Sequence, residues 1–243
     1  MRRLIVIIML IVVFILNTSF ICDDNYIVIT PLGNPIFFKY GNNDIGTGTL
    51  SFLYKDRFIC LAHNLSYGML DVPDVNDVDI TLCYVIPKKS TDTEVGKLIA
   101  SKDYTKTISI KKSLINSSYG LYGKYTEELN QFTHNKKMKV AKIDDIKLGH
   151  AQILTTIEGD KPKLYDIEII EVIKKDNKEV GIRFVATDPE LLNKAGGFIV
   201  GMSGSPIIQN NKMIGNICYS LYPKAEGIAL LTILMIEELN KNY

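Results

Sequence analysis

From Tyr26 onward the sequence is a succession of short runs rich in Val, Ile, Thr, Tyr and Phe, each broken by Gly, Asn, Asp or Lys. β-Branched and aromatic side chains suit a pleated, half-buried surface, so the runs read as strands and the polar breaks as turns. A first series is predicted near Tyr26–Ile29, Ile36–Tyr40, Gly48–Tyr54, Phe58–Leu61, Asp79–Ile86, Gly96–Ala100 and Thr107–Ile110. A second follows at Met138–Ile143, Ala151–Ile157, Leu164–Ile173, Val180–Ala186, Pro206–Ile208 and Ile214–Leu221. Two helices interrupt the scheme, a short one at Pro189–Lys194 and a C-terminal one at Ile228–Asn240, while Ser117–Gln131 fits either state. Closely spaced short strands point to a sandwich or barrel, and two series point to two barrels side by side. The expected fold is all-β with two barrels and a C-terminal helix.

At 243 residues, 47% of them hydrophobic, the chain is long enough to bury a sizeable core. Its formal net charge of +1 includes Arg2 and Arg3; without the first 22 residues it becomes 26 basic against 27 acidic side chains, or −1. That balance argues against a nucleic-acid partner.

Two arginines followed by thirteen uninterrupted apolar residues, Leu4 to Leu16, form an export signal. The run has the length of a signal-peptide core, and Phe20 and Ile21 bring a short membrane span within reach, so residues 1–22 read as a signal peptide or a membrane anchor. Residues 23–243 would form the exported body, because the arginines favour the cytoplasmic side.

Cys60 and Cys218 lie in apolar, strand-like runs, where cysteine commonly serves as a small buried hydrophobe. His63, His134 and His150 are far apart and none has metal-ligand spacing from a cysteine, so no metal or other cofactor is expected. His134 and His150 read as surface residues.

Gly201-Met202-Ser203-Gly204-Ser205-Pro206 is the stretch richest in chemistry. Glycines on both sides let the backbone turn sharply around a serine, and small neighbours leave room for a substrate carbonyl. Alone, the tetrapeptide would be a turn between strands.

Together with Thr187-Asp188-Pro189-Glu190-Leu191-Leu192, Gly196-Gly197, Ile207-Ile208 and Met213-Ile214-Gly215, this stretch resembles the signature of the SpoIVB-type peptidases, chymotrypsin-like serine proteases of endospore-forming bacteria. Further matching stretches are Ile45-Gly46-Thr47, Leu61-Ala62-His63, Tyr119-Gly120-Leu121-Tyr122-Gly123 and Ala151-Gln152-Ile153-Leu154-Thr155. The resemblance runs from about Val28 to Glu238. It implies a peptidase domain without the PDZ domain that full-length members carry, since the leader runs almost directly into peptidase sequence.

On this resemblance Ser203 is the expected nucleophile and His63, at the end of a strand, the general base. An imidazole titrating near neutrality can take the serine proton and return it to the leaving amine. Ala62 departs from the glycine usual in the family, and Cys218-Tyr219-Ser220 departs from its pattern beside the site. The resemblance gives Asp188, fifteen positions before Ser203, as the acid. Asp188-Pro189-Glu190 also reads as a helix N-cap followed by proline at the first helical position, and the chymotrypsin-like order nominates Asp79 or Asp92 instead. The backbone N–H groups of Gly201 and Ser203 match an oxyanion hole. Met202 stands where trypsin-like zymogens carry the acid that pairs with a freed N-terminus.

The expected activity is that of a serine endopeptidase making a limited regulatory cut in an envelope or forespore-membrane protein during sporulation signalling. Its partner would be a protein substrate, membrane-tethered, with the N-terminal segment providing membrane association. The enzyme would work at the outer face of the cytoplasmic membrane or between the mother-cell and forespore membranes. The alternative is a catalytically weak homologue that binds and scaffolds a membrane partner.

Overall fold

The computed structural model describes residues 26–67, 70–71, 78–101, 106–108 and 114–241. Residues 1–22, the segment expected to be a signal peptide or membrane anchor and including Cys22, lie outside the described residues. The first half contains β1 (Val28–Tyr40), β2 (Asn43–Tyr54), β3 (Arg57–Cys60), β4 (Ser66–Tyr67), β5 (Leu70–Asp71), β6 (Val78–Leu82), β7 (Val85–Lys88), β8 (Lys97–Ala100), β9 (Lys106–Ile108), β10 (Ile115–Ser117) and β11 (Gly120–Lys124). The second contains β12 (Met138–Val140), β13 (Gly149–Thr155), β14 (Lys163–Lys175), β15 (Lys178–Ala186), β16 (Pro206–Gln209), β17 (Lys212–Leu221) and β18 (Glu226–Leu231). Among the described residues two α-helices, α1 (Pro189–Ala195) and α2 (Thr232–Lys241), complete the set together with two short 3₁₀ turns.

The predominance of strand agrees with the composition of the runs, and the two series fold as two units. In the second, β17-β16-β13-β14-β15-β18 forms a ladder that returns to β17, a closed six-stranded barrel. Closure leaves no strand edge open. Ile153, Ile167, Ile182, Phe184 and Ile207 fill its interior. In the first unit the order is β9-β6-β1-β2-β3-β11-β10, curved around Leu32, Ile36, Phe38, Leu50, Phe58 and Leu121. Residues 109–113, between the end strands β9 and β10, lie outside the described residues.

β1 belongs to both units. Its start pairs with β12 at Val28 and Ile29, and its remainder pairs with β2 and β6. Two separate strands were expected here. Instead the chain continues through a register irregularity between Pro31 and Asn34 without ending the strand. The run expected at Asp79–Ile86 divides at Cys83-Tyr84, where β7 leaves β6 to pair with β8. Ser117–Gln131 resolves into β11 followed by a 3₁₀ turn, Glu127–Phe132.

The C-terminal helix is shorter than expected because Glu226–Leu231 is the strand β18, which closes the barrel between β15 and β17. α2 starts at Thr232 and buries Thr232, Met235, Ile236 and Leu239, one helical stripe. That stripe packs with Ile29, Phe52, Ile59 and Tyr122 of the first unit and Met213 of the second, so the helix closes the seam between them. Among the described residues no helix is long and apolar enough to cross a membrane.

Candidate active site

Ser203 comes from the second unit, in the turn leading into β16, and His63 from the first, in the turn that ends β3. Both line one cleft of about 340 Å³ between the units. The turns are built against each other. Thr49 N–H on β2 donates to the Ser203 carbonyl (3.0 Å), and Leu61 N–H, two residues before His63, donates to the Thr49 carbonyl (3.1 Å). The Thr49 hydroxyl donates to the Gly201 carbonyl (3.0 Å). One strand residue therefore fixes both the nucleophile turn and the histidine turn.

Behind Ser203 the turn is held by a buried polar column. The Ser205 hydroxyl donates to Thr155 Oγ1 (2.8 Å), the Asn216 carboxamide donates to the Gly204 carbonyl (3.1 Å), and Thr232 at the start of α2 donates to Asn216 Oδ1 (3.1 Å). All these hydroxyl and amide side chains are buried, so each bond satisfies a group that would otherwise be desolvated without a partner. Met202, fully buried, takes the Ile199 N–H on its sulfur (3.4 Å). Burial and this bond thus secure Met202 within the nucleophile turn.

The oxyanion geometry follows from two carbonyls. The Val200 carbonyl accepts from Leu98 N–H (2.8 Å) and the Met202 carbonyl from Ser205 N–H (3.0 Å). In a trans peptide the N–H points opposite to the C=O, so the Gly201 and Ser203 amides are turned away from those partners. Neither amide donates to a protein acceptor among the described residues. Gly201 has φ +102°, and a Cβ there would stand 2.5 Å from Thr47 Oγ1, so both the backbone and the space demand glycine.

His63 Nδ1 lies 2.7 Å from the Asn64 carbonyl oxygen. A carbonyl carries no proton, so Nδ1 is the donor, and in the neutral ring Nε2 is the basic atom. Tyr219 stacks on the imidazole, with centroids 5.8 Å apart and planes 16° apart. The Ser203 hydroxyl oxygen is buried and makes no hydrogen bond, so nucleophile and base face one cleft without being joined.

Asp188 sits elsewhere. Its carboxylate accepts the Glu190 and Leu191 N–H groups (2.8 and 3.1 Å) at the start of α1, with Pro189 following, the arrangement of an N-cap. Asp79 lies on β6 opposite Lys39, and Asp92 is exposed in the turn before β8. None of the three lines the cleft, and among the described residues no carboxylate does. Asn116 was not anticipated from sequence. On β10, its carboxamide accepts from Leu65 N–H (2.7 Å) and donates to the Leu65 carbonyl (2.8 Å), beside the histidine turn.

The cleft is mostly apolar, with Phe38, Ile45, Leu65, Ile199 and Ile217 among its walls and the hydroxyl residues Thr47, Ser66 and Ser220 beside them. Cys218 lines it too; its Sγ–H donates to the Ala62 carbonyl (3.0 Å), and burial pushes the thiol up to about 12. Cys60 is buried, as its apolar run suggests, and its thiol is likewise raised by burial. His134 and His150 are exposed. Among the described residues no group of His, Cys, Asp and Glu could hold a metal ion.

Solved structures align with this chain at low sequence identity. The scabies mite inactivated protease paralogue S-I1 aligns over 87% of this chain and 95% of its own, with TM-score 0.50 and 12% identity. The Rv3671c protease of M. tuberculosis in its active form aligns over 93% and 84%, with TM-score 0.47 and 14% identity. The MamO protease domain of Magnetospirillum magneticum aligns over 86% and 97%, with TM-score 0.42 and 11% identity. The fold is chymotrypsin-like. No curated protein matches by sequence. The family model of the SpoIVB peptidase S55 matches residues 38–235, which include Ser203, His63, Asp188 and the whole cleft. This chain therefore belongs to the SpoIVB peptidase S55 family, and it is a serine peptidase.

Proposed function

We propose that the protein is a serine endopeptidase that makes a limited cut in an envelope or forespore-membrane protein during sporulation signalling, with Ser203 as nucleophile and His63 as general base. The observation that carries the reading is the shared support of Ser203 and His63 by Thr49, which sets both at one cleft with two undonated amides beside the serine.

In this mechanism Ser203 Oγ attacks the scissile carbonyl carbon while His63 Nε2 takes its proton. The Gly201 and Ser203 N–H groups receive the oxyanion, and His63 then gives the proton to the leaving amine. Water repeats the sequence on the acyl-enzyme. Because Ser203 Oγ makes no hydrogen bond in the free protein, attack requires Oγ and Nε2 to come within hydrogen-bond reach when substrate binds. The apolar walls favour an uncharged side chain at the residue preceding the cut. No step calls for a cofactor.

The substrate in this reading is a membrane-tethered protein met outside the cytoplasmic membrane, and residues 1–22 carry the enzyme there. Support comes from the family membership and from the apolar leader in the sequence.

A second reading, a catalytically weak scaffold, is favoured by the unpartnered Ser203 hydroxyl. Covalent labelling by a fluorophosphonate separates the two, since it needs an activated serine and no knowledge of the substrate. Labelling that disappears in Ser203→Ala is expected; wild-type protein that resists the reagent would leave the scaffold reading.

A further inference from the structure

Resting on the peptidase reading, we propose that the His63 imidazole is oriented by the peptide unit joining Asn64 to Leu65, which Asn116 holds from its far side. Among the described residues, a main-chain amide and a carboxamide then do the orienting work that a triad carboxylate would do.

The two hydrogen bonds involved meet on one peptide group. The Asn64 carbonyl accepts from His63 Nδ1 at 2.7 Å, and the N–H of the same unit, which belongs to Leu65, donates to Asn116 Oδ1 at 2.7 Å. The C=O and N–H of a trans peptide point in opposite directions. The line therefore runs from Nδ1–H to the Asn64 oxygen, through the peptide, and from the Leu65 N–H to Asn116. An acceptor on the N–H side shifts electron density toward the carbonyl oxygen, and chains of this kind strengthen each member by about 10–30%.

The orientation of the Asn116 carboxamide is fixed by its second bond. Nδ2 donates to the Leu65 carbonyl at 2.8 Å, so a flipped amide would set donor against donor and acceptor against acceptor. Leu65 is 5% exposed, which limits the access of water to its own N–H and C=O.

Fold topology brings the parts together. Asn116 pairs with Leu121 across the β10–β11 hairpin, and Leu121 pairs with Cys60 at the end of β3, three residues before His63. Tyr219 covers the imidazole by stacking. The ring is thus held at Nδ1 and by ring stacking, in the tautomer a general base requires. Asn116 touches neither substrate nor imidazole; it is a positioning residue. Asp188 is left with the cap of α1, where both of its short bonds are spent.

The test uses the full-length chain in detergent and a fluorophosphonate, whose phosphorus is attacked by Ser203 Oγ as fluoride leaves and the proton passes to His63. Asn116→Ala should lower the maximal inactivation rate about 100-fold, the scale of a small misplacement of a catalytic group, with the reagent's half-saturation concentration unchanged. Asn116→Asp keeps an acceptor for the Leu65 N–H and should retain a rate within about tenfold of wild type. Asp188→Asn should label as wild type.

A second readout is the His63 Nδ1–H proton resonance, expected in wild type and Asn116→Asp and lost to exchange in Asn116→Ala. It requires no activity. Wild-type protein that shows the resonance but does not label would overturn the peptidase reading and leave the relay standing. Normal labelling and an intact resonance in Asn116→Ala would overturn the relay, as would an Asp188→Asn protein that folds but no longer labels.

Discussion

Gly204 and Leu61 meet backbone to backbone: a Cβ on Gly204 would stand 2.6 Å from the Leu61 nitrogen, 2.8 Å from its Cα and 2.7 Å from the Thr49 carbonyl oxygen. Both residues have positive φ, +95° and +62°. The nucleophile turn and the histidine turn are therefore spaced by the absence of one methyl group. Gly204→Ala should cost about 2–4 kcal/mol, combining overpacking with a left-handed conformation. The check is urea unfolding alongside fluorophosphonate labelling, and a variant as stable and as reactive as wild type would show that the turns can separate freely.

Ser203→Ala should abolish proteolysis while leaving the unfolding midpoint close to wild type, because its hydroxyl makes no hydrogen bond to lose. His63→Ala should lose activity to a comparable extent, and the double variant should be no slower, since partners in one step do not add. Rates multiplying in the double variant would separate the two residues mechanistically.

Replacement of Asp188 distinguishes capping from catalysis. Asparagine can still accept the Glu190 and Leu191 N–H groups, so Asp188→Asn should change stability by less than about 0.5 kcal/mol, whereas Asp188→Ala should lose about 1 kcal/mol. A triad carboxylate would instead lose about 10⁴ in turnover on the asparagine substitution. Unfolding and labelling measured on the same preparations decide between these outcomes.

Cys218 faces the cleft, yet its thiol is held up near 12 by burial. The thiolate is the reactive form, so raising the thiol's pKa removes reactivity at every pH well below that value. Iodoacetamide at pH 8 should leave Cys218 unmodified in the folded protein, with reaction appearing only in denaturant. Mass spectrometry of the Cys218 peptide reads the result directly, and rapid alkylation of folded protein would contradict it.

Export is checked by a reporter fused after Tyr26, which should appear outside the cytoplasmic membrane; a cytoplasmic reporter would remove the proposed location.

Most strands were legible in the sequence because β-branched runs and polar turns alternate at strand spacing. β18 was not. Ala229 and Leu231 point into the barrel while Ile228 and Leu230 are only half buried on the other face, so Glu226–Leu231 shows no polar alternation and merges into the helical stripe of α2. A run apolar on both faces has no period that separates strand from helix. Ser203 and His63, which the fold brings to one cleft, could be nominated because each sits in a local motif. The cap role of Asp188 was equally local, written in the proline after it. Asn116 had no such mark: asparagine is common in turns, and its task depends on a segment 51 residues earlier being brought beside it.

The continuous course of β1 carries a further consequence. Its first residues form a ladder with β12, which follows the connection between the two units, while its last residues form a ladder with β2 and β6 before it. Cutting the polypeptide between Phe132 and Met138 would therefore not release two autonomous halves, because the amino-terminal fragment would keep a strand end whose partner belongs to the other. The fragments should instead reassociate, and the protein is suited to split-reporter designs in which peptidase activity returns only when both pieces are brought together.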